Sequence, residues 1–175
     1  MSHRAESVLI VGIGNELLCD EGLGVHVARA LLAARGTLPA GVAVLEAGTS
    51  LLEIMAEMSH YAHVVIVDAI YAGGEAGTLY RAELSREASG QLETLPAISL
   101  HEWGLLDTLR AAKMLGLLPG RLTLIGAEPE RIQPGLGLSP KLARAEDRIV
   151  TMLLDELGTR QAEFREQKPA AEHPA

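Results

Sequence analysis

A single cysteine, Cys19, is all the thiol that the 175-residue chain holds. One thiol excludes an internal disulfide and any CxxC metal or redox motif, and it fits a reducing compartment. Basic clusters are missing as well. Against 23 acidic residues stand 15 Lys and Arg, scattered singly or in pairs, for a formal net charge of −8. That balance argues against nucleic acid and anionic membrane as partners. No apolar run reaches the length of about 18 residues needed to cross a bilayer. The start, MSHRAESVLIVGIGN, carries no cleavage-site pattern after its short apolar run. A soluble, cytoplasmic protein is the expectation. Familiar hydrolase signatures are absent too: there is no GxSxG, and His101-Glu102 runs on into Trp103, Gly104 and Leu105, so HExxH is not formed.

What the chain has in quantity is apolar sequence, 48% of its residues, enough for one well-buried domain. Short β-branched runs alternate with segments of helical period, the pattern of an α/β layer fold. VLIVGIG (8–14), VAVLEA (42–47), HVVIVDAI (63–70) and RLTLIGAE (121–128) are continuous enough to be central strands covered on both faces. GTLYRAEL (77–84) alternates more and reads as an edge strand. Helices are expected near 22–35, 49–60, 101–117 and 139–164. Ser99 with Glu102 has capping-box spacing, and Ser139-Pro140 fits an N-cap followed by proline at the first helical position. Leu142, Ile149, Leu153 and Leu157 give the last helix one apolar stripe. The domain is expected to span 1–165, with the polar, proline-bearing EQKPAAEHPA (166–175) disordered.

Gly12 and Gly14 follow the first strand as they would in a dinucleotide-binding turn, and Glu46 ends the second, where a ribose-binding acid would stand. The third glycine of that fingerprint is replaced by the run Asn15-Glu16-Leu17, and Glu46 lies further from Gly14 than the usual spacing of about 20 residues. Glu16, Asp20 and Glu21 would also repel a pyrophosphate. These acids suggest a different chemistry. Open α/β sheets bind ligands beyond the carboxyl ends of their strands. The first strand delivers Asp20 and Glu21 there, the third delivers Asp68, and His101 opens a helix after a loop returning to the sheet. Glu21, Asp68 and His101 make two carboxylates and an imidazole, a set suited to Zn²⁺ or Ni²⁺ with open coordination positions.

Each of these residues also has a purely structural reading. Asp20 fits the N-cap of the first helix, and Glu21 fits a first-turn acid favoured by the helix dipole. Asp68 closes an apolar run, where a carboxylate is costly to bury unless it is paired or metal-bound, yet a hydrogen bond to a neighbouring loop would also serve. His101 sits inside the capping turn. His26, His60 and His63 fit exposed or helix-surface positions, while His3 and His173 fall near the chain ends. Cys19 stands directly before two acids, which disfavours its thiolate and so its use as a nucleophile.

Taken in order, GIGNELLCDEGLG, VDAI, HEWGLLDTL, GAEPE and PGLGLSP resemble the hydrogenase maturation proteases, over about residues 8–157. The resemblance implies a twisted, mostly parallel sheet of about five strands between helices, in a single three-layer α/β domain. It implies an endopeptidase that removes a C-terminal extension from the large-subunit precursor of a nickel-iron hydrogenase after nickel insertion. It further implies that Glu21, Asp68 and His101 are the metal-contacting and catalytic residues. The nickel is supplied by the precursor, with another divalent ion such as zinc as the alternative. Where many relatives carry D-G-G-T, this chain has Glu46-Ala47-Gly48-Thr49, a change that bears on substrate identity more than on reaction type. Two rival readings stand beside this one: a nickel-dependent assembly factor that does not cut, and a nucleotide-binding α/β module.

Overall fold

The computed structural model describes residues 7–34, 36, 38–49, 55, 57–85 and 105–167. Five strands form one sheet: β1 (Val8–Ile13), β2 (Val42–Gly48), β3 (His63–Ala69), β4 (Leu79–Ser85) and β5 (Arg121–Ala127), in the order β2-β1-β3-β5-β4. β1 pairs parallel with β2 and β3, and β3 pairs parallel with β5. Only β4, at one edge, runs antiparallel. Three helices are described: α1 (Leu23–Ala33), α2 (Leu105–Met114) and α3 (Pro140–Gln167).

Strand alternation sorts the apolar residues into two cores. Val8 and Ile10 of β1, with Val65, Val67 and Ala69 of β3, pack against α1 and α3. Leu9, Val11 and Ile13, with Val64 and Ile66, pack against α2 and Met58 on the other face. The result is the expected helix–sheet–helix layering. Along α3, Leu142, Ala145, Ile149, Leu153 and Leu157 are all buried, as the periodicity predicts. Each such leucine or isoleucine contributes about 1.5–3 kcal/mol relative to exposure. The start of α3 is capped as read from the sequence: the Leu142 N–H donates to Ser139 Oγ at 3.4 Å, and Pro140 takes the first helical position.

Three expectations need correction or restriction. β2 is not a central strand covered on both faces but the edge strand beyond β1, and its residues are half-buried or exposed. His63 is not at the surface. It begins β3, is buried, and its Nε2 lies 2.8 Å from Thr123 Oγ1 on the neighbouring strand β5. The capping turn of Ser99 and Glu102, and half of the helix expected over 49–60, lie outside the described residues.

Candidate functional site

The four mutually parallel strands end on one side of the sheet, the side where open α/β folds bind their ligands. The chain leaves β1 there through Gly14, makes a short loop, and closes a single 3₁₀ turn at Asp20–Gly22 before α1 begins. The glycines in this region are packing positions. A Cβ on Gly24 would fall 2.1 Å from the Val67 carbonyl oxygen and 2.2 Å from that of Ile13, so the first turn of α1 rests directly on the backbone of β1 and β3. A Cβ on Gly14, whose φ is 143°, would fall 2.0 Å from the Glu21 carbonyl oxygen. The GxG turn therefore seats a helix rather than cradling a phosphate.

That seating brings two of the predicted acids to the same end of the sheet. Glu21, in the 3₁₀ turn, is buried, and the turn packs against β3. Asp68, near the end of β3, is fully buried. Its parity with Val64 and Ile66 puts its side chain on the α2 face, and Oδ1 accepts the Ala69 N–H at 2.8 Å. His101 lies outside the described residues. Four residues after it, Leu105 opens the described part of α2, buried in the core that holds Ile13 and Ile70. α2 runs into β5 at Arg121, the far end of the sheet, and its ten residues cover about 15 Å, so Leu105 sits toward the carboxyl ends of the strands. Among the described residues, no group of three or more His, Cys, Asp or Glu side chains is placed to hold a metal ion.

Asp20 does something other than cap its own helix. Its Oδ2 accepts the N–H groups of Glu130 and Arg131, both at 2.9 Å, and its Oδ1 accepts that of Ser139 at 2.6 Å. The N-cap expectation is thus corrected: the carboxylate is spent on the loop between β5 and α3. Ionised acceptors make the stronger backbone hydrogen bonds, which makes this buried acid a clamp between two loops.

Glu128, just past β5, was not singled out from the sequence beyond its place in GAEPE. It is buried, and its carboxylate accepts the Ala72 N–H at 2.8 Å, the Gly73 N–H at 3.2 Å and the Tyr80 hydroxyl at 2.8 Å. Burial pushes this carboxyl up, but the donors, Ala72 first and then Tyr80, Gly74 and Gly73, outweigh it and hold the group below the usual carboxylate range. In return the Tyr80 hydroxyl is pushed up, chiefly by its hydrogen bond to Glu128. The pair fixes the loop that follows Asp68.

Glu46, which the dinucleotide reading would place on a ribose, is engaged by a side chain of α1. It shares Arg29 with Glu16: Arg29 Nε reaches both Glu46 oxygens at 3.1 Å, while Nη1 and Nη2 bridge to Glu16. The guanidinium is held charged, first by Glu46 and then by Glu16. Ala47 packs against the α2-side core, so its methyl is accommodated, and Gly48 adopts a left-handed φ of 56°, which glycine takes at no steric cost. Cys19 is buried, with φ 54°, and its sulfur faces Gly135.

With this geometry in place, comparison with known proteins is decisive. The family model described as hydrogenase maturation protease matches residues 25–156. The chain belongs to the hydrogenase maturation protease family. Its sequence is 37% identical to the Hydrogenase 2 maturation protease of Escherichia coli over 134 residues, covering 76% of this chain and 79% of that protein. It is 32% identical over 163 residues to the hydrogenase expression/formation protein HupD of Rhodobacter capsulatus, covering 89% and 73%. The solved structure of the hydrogenase maturating endopeptidase HybD from E. coli superposes with a TM-score of 0.73 at 31% identity, covering 89% of this chain and 94% of that one. The single α/β domain with its mostly parallel five-stranded sheet is that of this protease family. Within the family frame, Glu21 and Asp68 are two acids that this chain brings to the ligand-binding end of its sheet, while Asp20 and Glu128 brace the loops around them.

Proposed function

We propose that this protein removes the C-terminal extension from the large-subunit precursor of a nickel-iron hydrogenase, and that Glu21, Asp68 and His101 engage the nickel carried by that precursor. The observation that carries this reading is the pair of buried acids at one end of the sheet. Glu21 is brought there by a helix seated on glycine, and Asp68 by the strand on which that helix rests. Two carboxylates and an imidazole suit a borderline divalent ion. The ion belongs to the substrate, and zinc would serve as a substitute probe.

Peptide hydrolysis needs a water to add to the scissile carbonyl, the C–N bond to break, and a proton to reach the leaving amine. A buried carboxylate beside the docked peptide is suited to take the proton from water and return it to the amine. Cys19 is a poor alternative nucleophile, because it is buried against Gly135. The test is incubation of the purified protein with nickel-loaded precursor, read by mass spectrometry of the precursor C-terminus. Loss of the extension is expected. An intact C-terminus under conditions where the two proteins bind would overturn the protease reading in favour of a non-cutting assembly factor.

A further inference from the structure

The loop that delivers Glu21 also carries apolar surface for which the fold has no use. Leu17 is 66% exposed, while Ile132 and Leu136, on the loop between β5 and α3, are 38% and 75% exposed. The two loops are joined by backbone hydrogen bonds. The Gly135 N–H donates to the Leu17 carbonyl at 2.9 Å, the Cys19 N–H donates to the Gly135 carbonyl at 3.0 Å, and Cys19 lies opposite Ile132 in an antiparallel bridge. The three bonds to the Asp20 carboxylate fix the base of the second loop. These apolar side chains are therefore held outward by an ordered frame, the mark of an interaction surface.

We infer that Leu17, Ile132 and Leu136 form the docking surface for the folded body of the hydrogenase large-subunit precursor, beside the segment that is cut. This inference rests on the endopeptidase reading above. The position of the patch favours this occupant. Leu17 precedes Glu21 by four residues on the same loop, and the Glu21 N–H donates to the Leu18 carbonyl at 3.4 Å, so the patch adjoins the candidate site. Beside the patch Lys141 is paired to Glu130 at 3.1 Å, and Asp20 is buried. The exposed, charged Glu130 and Arg131 stand directly before Ile132, so apolar and polar surface lie side by side here, the mix found at protein interfaces.

The experiment measures binding of nickel-loaded precursor by calorimetry and its cleavage by steady-state kinetics. Leu17→Ser and Leu136→Ser are each expected to raise Kd and KM roughly tenfold, about 1.4 kcal/mol, with kcat little changed. Met114→Ser, on a side chain 88% exposed at the other end of the sheet, serves as the control and leaves all three values unchanged. Unchanged Kd and KM in the Leu17→Ser, Leu136→Ser double variant would overturn the inference, as would an equal loss in the Met114 control. So would a wild-type dimer in sedimentation that the double variant dissolves, because a second copy would then be the occupant. Wild-type binding without cleavage defeats the endopeptidase reading alone, since the Kd ratio still judges the docking surface. No binding at all defeats both.

Discussion

Gly14 and Glu21 meet backbone to backbone, with the Glu21 carbonyl oxygen 2.0 Å from where a Cβ on Gly14 would stand. No side chain fits that gap, and the φ of 143° at Gly14 disfavours any residue but glycine. Gly14→Ala is therefore expected to push the 3₁₀ turn off β3. The expected loss is about 2–4 kcal/mol in chemical denaturation, together with most processing activity. Wild-type stability in this variant would show that the turn is free to move.

The candidate site makes a sharper demand. Glu21→Gln and Asp68→Asn remove charge while keeping shape, and each is expected to lower the processing rate at least about 100-fold while far-UV circular dichroism is preserved. His101→Ala is expected to do the same. A variant that processes precursor at the wild-type rate removes its residue from the site.

Asp20 predicts a structural phenotype instead. Asp20→Ala leaves three backbone donors without their charged acceptor, at an expected cost of about 3 kcal/mol. Hydrogen exchange reads this directly: the amides of Glu130, Arg131 and Ser139 should exchange faster in the variant. Protection equal to that of the wild type at those three amides would refute the clamp.

Glu128 predicts how stability depends on pH. Its folded carboxyl titrates below the usual value, so its stabilising contribution is complete above the unfolded pKa and is lost as pH falls through the folded one. Glu128→Gln should therefore be less stable than wild type at pH 7, by about 1–3 kcal/mol for the weakened buried hydrogen bonds. The gap should close as pH falls below the ordinary glutamate range. Parallel denaturation curves across that range would refute the assignment.

The strands were legible because each is a short apolar run ended by a loop, and the last helix because its stripe and cap are local. Sheet order was not legible. VAVLEA is as apolar as its neighbours, yet it lies at the edge, since position in a sheet depends on partners far away in sequence. The same reason explains His63, whose partner Thr123 is 60 residues on, and Asp20, whose three acceptor bonds reach 110 to 119 residues downstream. Reading Asp20 as an N-cap followed from its position before a helix; nothing nearby in sequence announces Glu130 or Ser139. Glu21 and Asp68 were legible as acids placed after buried strands, a local pattern.

The span of the Asp20 clamp bears on how the protein comes into being. The first strand and the first helix are made long before the loop they are clamped to: the acid between them meets its first two partners only when Glu130 and Arg131 have emerged, and its third with Ser139. Contacts so distant along the chain form late and slowly. A nascent or truncated chain ending before Glu130 would carry Glu21 on a loop without this brace, so proteolytic competence would wait for the loop between β5 and α3 to be made.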